Sequence, residues 1–184
     1  MSELDEVKKV YTGWDISSAQ PEEESSQSDV NAAMLHGIEQ MVGKVKVFIN
    51  NKFKLVRPLK KVHVNYPELG DFKASIFGHP EAITFPHHYP EISESLNLMH
   101  GEDTSFRFIF KLLRFFIEIK VLPKKTAAKV LEWLETKDAS PPKDLVNSLP
   151  GVYGLAEGFK NGVETAVAVS LDSTNEMLEK MMFV

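Results

Sequence analysis

The run KVKVFINNKFKLV (44–56) constrains the fold more than any other stretch of this chain. Two alternating apolar segments meet at an Asn-Asn pair, the pattern of a β-hairpin. A two-residue Asn50-Asn51 turn would set Val47 opposite Lys54. A three-residue loop, Asn50 to Lys52, instead aligns Val45, Val47, Ile49, Phe53 and Leu55 on one face. That clean apolar face favours the longer loop. KVHVNY (61–66) and FKASIF (72–77) read as further strands, giving a small antiparallel sheet.

Helical spacing covers most of the rest. Val30, Met34, Ile38, Met41 and Val42 form one stripe, capped by Ser28 or Asp29 and ended by Gly43. From Gly78 to Ile92, Pro80, Pro86 and Pro90 read as a loop. In Ser105 to Leu122 the charges Arg107, Lys111, Arg114 and Glu118 make one polar stripe on an apolar rod, the pattern of a central, mostly buried helix. Pro123 stops that rod. Ala127, Val130, Leu131 and Leu134 make a second amphipathic helix, and Ser140 with Pro141 starts a short one. Gly154, Gly158, Gly162, Ala166 and Ser170 recur every fourth residue, so 151–171 reads as a helix with a small-residue packing stripe. Ser173 and Glu176 form a capping box for a last helix. Helix, strands, then helices predicts an α+β fold: a small sheet packed against a mostly helical C-terminal half.

Composition shifts near Asp29. SSAQPEEESSQSD (17–29) contains one alanine as its only apolar residue, too little to offset the entropy of ordering. Residues 1–28 therefore read as a disordered acidic arm, and 29–184 as a single globular domain. Leu4, Val7, Tyr11, Trp14 and Ile16 punctuate the arm, as in segments that fold on a partner or pack on their own domain. The N-terminus is charged from its third residue and lacks the apolar run of a signal peptide, and Phe106 to Leu122 carries too many charges to span a membrane. A cytoplasmic protein is expected. The chain has no cysteine, which removes disulfides, thiol catalysis and cysteine-based metal sites.

Charge is unevenly spread. Between Gln40 and Pro67 lie Lys44, Lys46, Lys52, Lys54, Arg57, Lys60 and Lys61 and no acid, +7 in a chain of net −5. With Phe48 among them, these residues suit phosphate contacts plus stacking, on an anionic membrane surface, a nucleic acid or an acidic protein. A solvated sheet face discouraging edge pairing is the structural alternative. Residues 1–39 carry nine acids against Lys8 and Lys9. Arm and hairpin can therefore attract each other, within one chain or head to tail between chains. Ser25, Ser26 and Ser28 sit among the acids, where phosphorylation would deepen the negative charge.

His79, His87 and His88, with Glu81 or Glu91, are zinc ligand types, but their spacing matches no helical pair. His36, His63 and His100 are isolated. His88 with Asp103 or Glu94 could form an acid–base pair. No nucleophile elbow, phosphate loop, dinucleotide fingerprint or zinc-protease motif is present, and no cofactor is implied. The pattern favours a non-enzymatic structural or interaction protein that self-associates through its arm and binds an acidic surface. By analogy of design alone, viral matrix- or capsid-associated proteins combine such parts. The runner-up is a carrier whose cavity is walled by Phe106, Phe108, Phe110, Phe115 and Phe116. An enzyme or metal site at the histidine-rich loop comes third.

Overall fold

The computed structural model describes residues 3–15, 32–100, 104–137 and 149–171. The elements in chain order are β1 (Glu6–Asp15), α1 (Ala32–Met41), β2 (Val45–Ile49), β3 (Phe53–Val56), β4 (Lys61–Tyr66), β5 (Gly70–Phe77), α2 (Glu81–His88), β6 (Glu94–His100), α3 (Thr104–Glu118), α4 (Lys124–Lys137), β7 (Val152–Lys160) and β8 (Val163–Leu171). All eight strands belong to one mixed sheet. The expected small sheet against a mostly helical C-terminal half is therefore overturned.

The sheet forks at β6. On one side β6 runs parallel to β1, with Lys9 to Asp15 alongside Glu94 to His100. On its other side it pairs antiparallel with β2 at Glu94 and Ser95, and with β5 at Asn97 to Met99. β7 lies antiparallel to β1, and β8 to β7. Tyr66 of β4 and Tyr153 of β7 bring their rings to 5.4 Å. Those strands are four positions apart, about 19 Å in a flat sheet at ~4.8 Å per step. Side chains stand roughly perpendicular to a sheet, so the sheet must curl to let them meet. Its inner face closes on itself: Tyr11, Val47, Val64, Ile76, Leu98 and Leu155 share one buried cluster with no helical member. The four helices lie outside. Ala82 and Phe85 of α2 approach Val10, Phe48, Ile92 and Asn97, while Ile38, Met41, Phe110, Ala128 and Leu131 pack with Phe77 and Met99.

Residues 6–15 of the acidic arm form a strand at the centre of this sheet, which corrects the expectation of disorder for that stretch. Leu4, Val7 and Tyr11 are buried, and Trp14 is at the surface with its ring against Phe77 and His79. Ile16 lies outside the described residues, as do 17–29 and the serines among them. The Tyr11 hydroxyl donates to Glu94 Oε1 at 2.7 Å. Burial, then that bond, raises the phenol above its ordinary value, so it stays protonated. Two charges of this segment are matched on β7, Lys9 by Glu157 at 2.8 Å and Asp5 by Lys160 at 3.3 Å, and Asp15 lies 3.9 Å from His100 of β6.

Residues 151–171 form a hairpin, not a helix. Gly154 and Gly158 are in β7, and Asn161-Gly162, at φ 51° and 77°, make the two-residue turn. At Gly158 an added Cβ would lie 1.9 Å from the Glu6 carbonyl oxygen, so the glycine admits β1 rather than another helix. The β2–β3 turn is also the two-residue one. Asn50 and Asn51 take φ 55° and 57°, Phe48 faces Phe53, and Val47 faces Lys54. The conformation of the turn decided the register over the cleaner apolar face, because β3 is an edge strand with Leu55 exposed. The helices expected over 105–122 and 127–134 are α3 and α4, whereas those expected near Ser140 and Ser173 fall outside the described residues.

Candidate functional site

The correct register splits the basic hairpin between two faces. Lys46, Phe48, Phe53 and Leu55 share the outer face, while Lys54 opposite Val47 points the other way. Phe48 is half-buried in the cluster beneath α2, and its ring meets Phe53 at 4.9 Å. Lys46 Nζ sits 4.4 Å above the Phe53 ring, and His87 lies on that ring's other flank at 5.4 Å. Lys52 follows the turn. Arg57 and Lys60 lie beyond β3, and Lys61 belongs to β4. These residues do not form one stacking surface.

A larger anomaly lies on α3. Its polar stripe does not face water throughout: Arg114 turns toward the protein, donating to the Pro58 carbonyl at 3.1 Å and the Gly43 carbonyl at 3.4 Å. Its Nε also bonds Glu118 at 2.8 Å. That bond, with lesser help from the Gly43 N–H and Arg57, lowers the Glu118 carboxyl below its ordinary value. With Phe110 buried and Ile109, Leu113 and Ile117 half-buried toward the core, the remaining apolar side is left bare. Phe108 is 67% exposed, Phe115 55%, Ile119 49%, Leu112 45% and Phe116 37%, and Val121 just beyond the helix 69%. At 100° per residue, Phe108, Leu112, Phe115, Phe116 and Ile119 span one contiguous arc. Taking about 200 Å² for an aromatic side chain and less for an aliphatic one, the patch offers roughly 600 Å², the upper end for a soluble monomer.

Cations surround it. Thr104 to Val130 contains seven lysines and arginines against Glu118 alone. Lys111, Lys120 and Lys125 are exposed and have no carboxylate partner among the described residues. Lys124 reaches Glu39 at 3.2 Å, and Arg57 stands near Glu118. Of the residues expected to bind an acidic surface, Arg57 thus comes near Glu118 of α3. The sequence signal that could have revealed the patch was the paired Lys124-Lys125 following a rod with apolar residues around most of its circumference.

The phenylalanines do not wall a cavity. Phe110 is buried, whereas Phe108, Phe115 and Phe116 face out, and the side chain of Phe106 is not described. The space between α3, α1 and α4, lined by Met41, Phe110 and Leu131, measures ≈ 10 Å³, about one water and too small for a carried ligand.

The histidine-rich segment is helix α2 rather than a loop, with Pro80 at its N-cap. His79 precedes the helix and His87 and His88 end it, about 12 Å away at 1.5 Å per residue, so the three cannot meet on one ion. Among the described residues no three metal-binding side chains converge. His79 instead approaches Glu81 through Nδ1 and lies with Lys44, Lys46, Gln40 and Thr84 along an open groove of ≈ 390 Å³. Burial, with His36 alongside, lowers the imidazole below its ordinary value. Glu91 and His88 are exposed. No helix among the described residues is long and apolar enough to cross a membrane. Compared with known protein families and with curated proteins, the chain matches none.

Proposed function

We propose that this protein binds anionic phospholipid surfaces peripherally, laying α3 in the plane of the interface. The observation that carries the reading is the exposed apolar arc from Phe108 to Ile119 bordered by lysines that have no carboxylate partner among the described residues. An interfacial helix needs apolar side chains on one side and basic ones along its margins, without the length or uniform apolarity of a spanning segment. Each lysine near an anionic surface adds about 1 kcal/mol of attraction within a Debye length. The inner side of α3 is anchored by Phe110, which packs with residues of α1 and α4, and by the two Arg114 bonds to the carbonyls of Pro58 and Gly43. In this proposal the acidic-surface role rests on α3 rather than on the hairpin, and Arg57 near Glu118 links the two.

Co-sedimentation of the full chain with phosphatidylcholine vesicles, with and without phosphatidylserine, tests this reading. Binding to the serine-lipid vesicles that weakens as salt rises is expected, with much less on phosphatidylcholine alone. Absence of binding to both, or a salt-independent dimer by light scattering that α3 substitutions dissolve, overturns it in favour of a protein partner.

A further inference from the structure

The ≈ 390 Å³ groove between the end of α1, β2 and the start of α2 has the size of a small-ligand site. Two of its lining side chains, Lys44 and Lys46, have no carboxylate partner among the described residues. Its one acid, Glu39, is engaged by Lys124. On the opposite wall His79 is held in place from two sides. The edge of Trp14 packs against it at 4.8 Å, and Glu81 Oε2 engages Nδ1. Glu81 is itself 3.4 Å from Nδ2 of Asn97.

Asn97 is fully buried. Its Oδ1 accepts the Ala82 N–H at 2.8 Å, and its Nδ2 also donates to the Thr12 hydroxyl. A buried carboxamide is tolerated when its partners are all present, and then it rigidifies what it touches. Here it ties β1, β6 and the first turn of α2 to one carboxylate, and that carboxylate to one imidazole. Carboxylate-oriented imidazoles backed by a further hydrogen-bond partner are how folds fix a functional nitrogen. With Nδ1 spent on Glu81, Nε2 is the nitrogen left for a ligand.

We propose that this groove binds a small phosphate monoester that also carries hydroxyl groups. Lys44 and Lys46 both line the groove and carry the two positive charges that match the two charges of the monoester, the Lys46 ammonium swinging to it from its place over the Phe53 ring. Nε2 of His79 accepts a hydrogen bond from a ligand hydroxyl, and Thr84 and Gln40 offer further polar contacts along the wall. The site is separate from the α3 surface and does not depend on it.

Calorimetric titration of the full chain with glucose 6-phosphate, inorganic phosphate and glucose tests the inference. Glucose 6-phosphate is expected to bind, inorganic phosphate more weakly, and glucose not at all. The double variant Lys44→Gln/Lys46→Gln should weaken binding of the monoester by roughly tenfold or more. His79→Phe keeps a ring against Trp14, so it should weaken the monoester while leaving inorganic phosphate unchanged. The variant Phe108→Ser/Phe115→Ser, which disables α3, should bind the monoester like the parent. No heat with either phosphate, equal affinity for the two, or unchanged binding in the double lysine variant overturns the proposal.

Discussion

Replacing Phe108 and Phe115 together by serine isolates the contribution of α3. Both side chains lie outside the core, at 67% and 55% exposure. With about 200 Å² per aromatic side chain, the pair presents roughly 240 Å² of apolar surface to solvent. If a bilayer interface takes up half of that area, the loss at about 25 cal/mol per Å² is ~3 kcal/mol. That corresponds to a fall of roughly a hundredfold in the partition coefficient on serine-lipid vesicles. Folding should hardly notice. Phenylalanine and serine have similar helix propensities, and surface substitutions away from special features shift stability by about 0.5 kcal/mol or less. Vesicle titration followed by intrinsic fluorescence, alongside a urea transition, measures both quantities on one preparation. A variant that unfolds like the parent and still partitions like the parent would refute the reasoning, because the bare arc would then contribute nothing to the interface.

Three further outcomes probe the frame that holds these sites. In Gly13→Ala the new Cβ would fall 2.0 Å from the Tyr153 ring, so overpacking should cost about 3 kcal/mol. A thermal midpoint equal to the parent's would place 6–15 outside the sheet. Asn51→Gly relieves a positive φ of 57° in the β2–β3 turn and should stabilise by about 0.5 kcal/mol. A lowered urea midpoint would contradict the two-residue turn. Glu118 has its carboxyl held below the ordinary 4.5 by Arg114, so its contribution is present above that value and is lost as pH falls through the lower folded value. The parent should exceed Glu118→Gln by about 0.3–0.5 kcal/mol near neutrality. That gap should close in acid, and a gap that widened there would invert the assignment.

The strands that escaped the sequence are the three central ones, β6, β1 and β7, together with the edge strand β8 that pairs with β7. β1 shows Val10 and Tyr11 buried side by side because both faces of the strand are covered, and the register shift between Val7 and Lys9 breaks what alternation remains. Charged neighbours then made the segment resemble a solvated arm, although Lys9 is matched by Glu157. β6 is hidden for the same reason: Ser95 to His100 are all buried. In β7 the spacing of Gly154 and Gly158 fits a helix and a strand alike, since four is a multiple of two. Asn161-Gly162 was the signal that separates them. The two-faced reading of β2 succeeded in existence and failed in register, because alternation fixes which residues share a face but not which turn joins them.

The sequence and the fold draw attention to different basic surfaces. Cations among apolar residues are visible at both 44–61 and 107–129; the first leaves Phe53 and Leu55 uncovered, whereas the second leaves the larger arc from Phe108 to Ile119. Periodicity alone cannot say which part of a broad apolar arc turns inward. On α3 the inward side carries both Arg114, which donates to the carbonyls of Gly43 and Pro58 after α1 and β3, and Phe110. Phe110 and Ile117 pack with Ile38 and Met41 of α1 and Leu131 of α4, while Phe108 and Phe115 are exposed. Removing the guanidinium by Arg114→Met should therefore both weaken the fold and change the orientation of the helix. The phenylalanine arc thus lies opposite the side of the helix that Arg114 and Phe110 hold to the protein, which leaves it available to the proposed lipid interface.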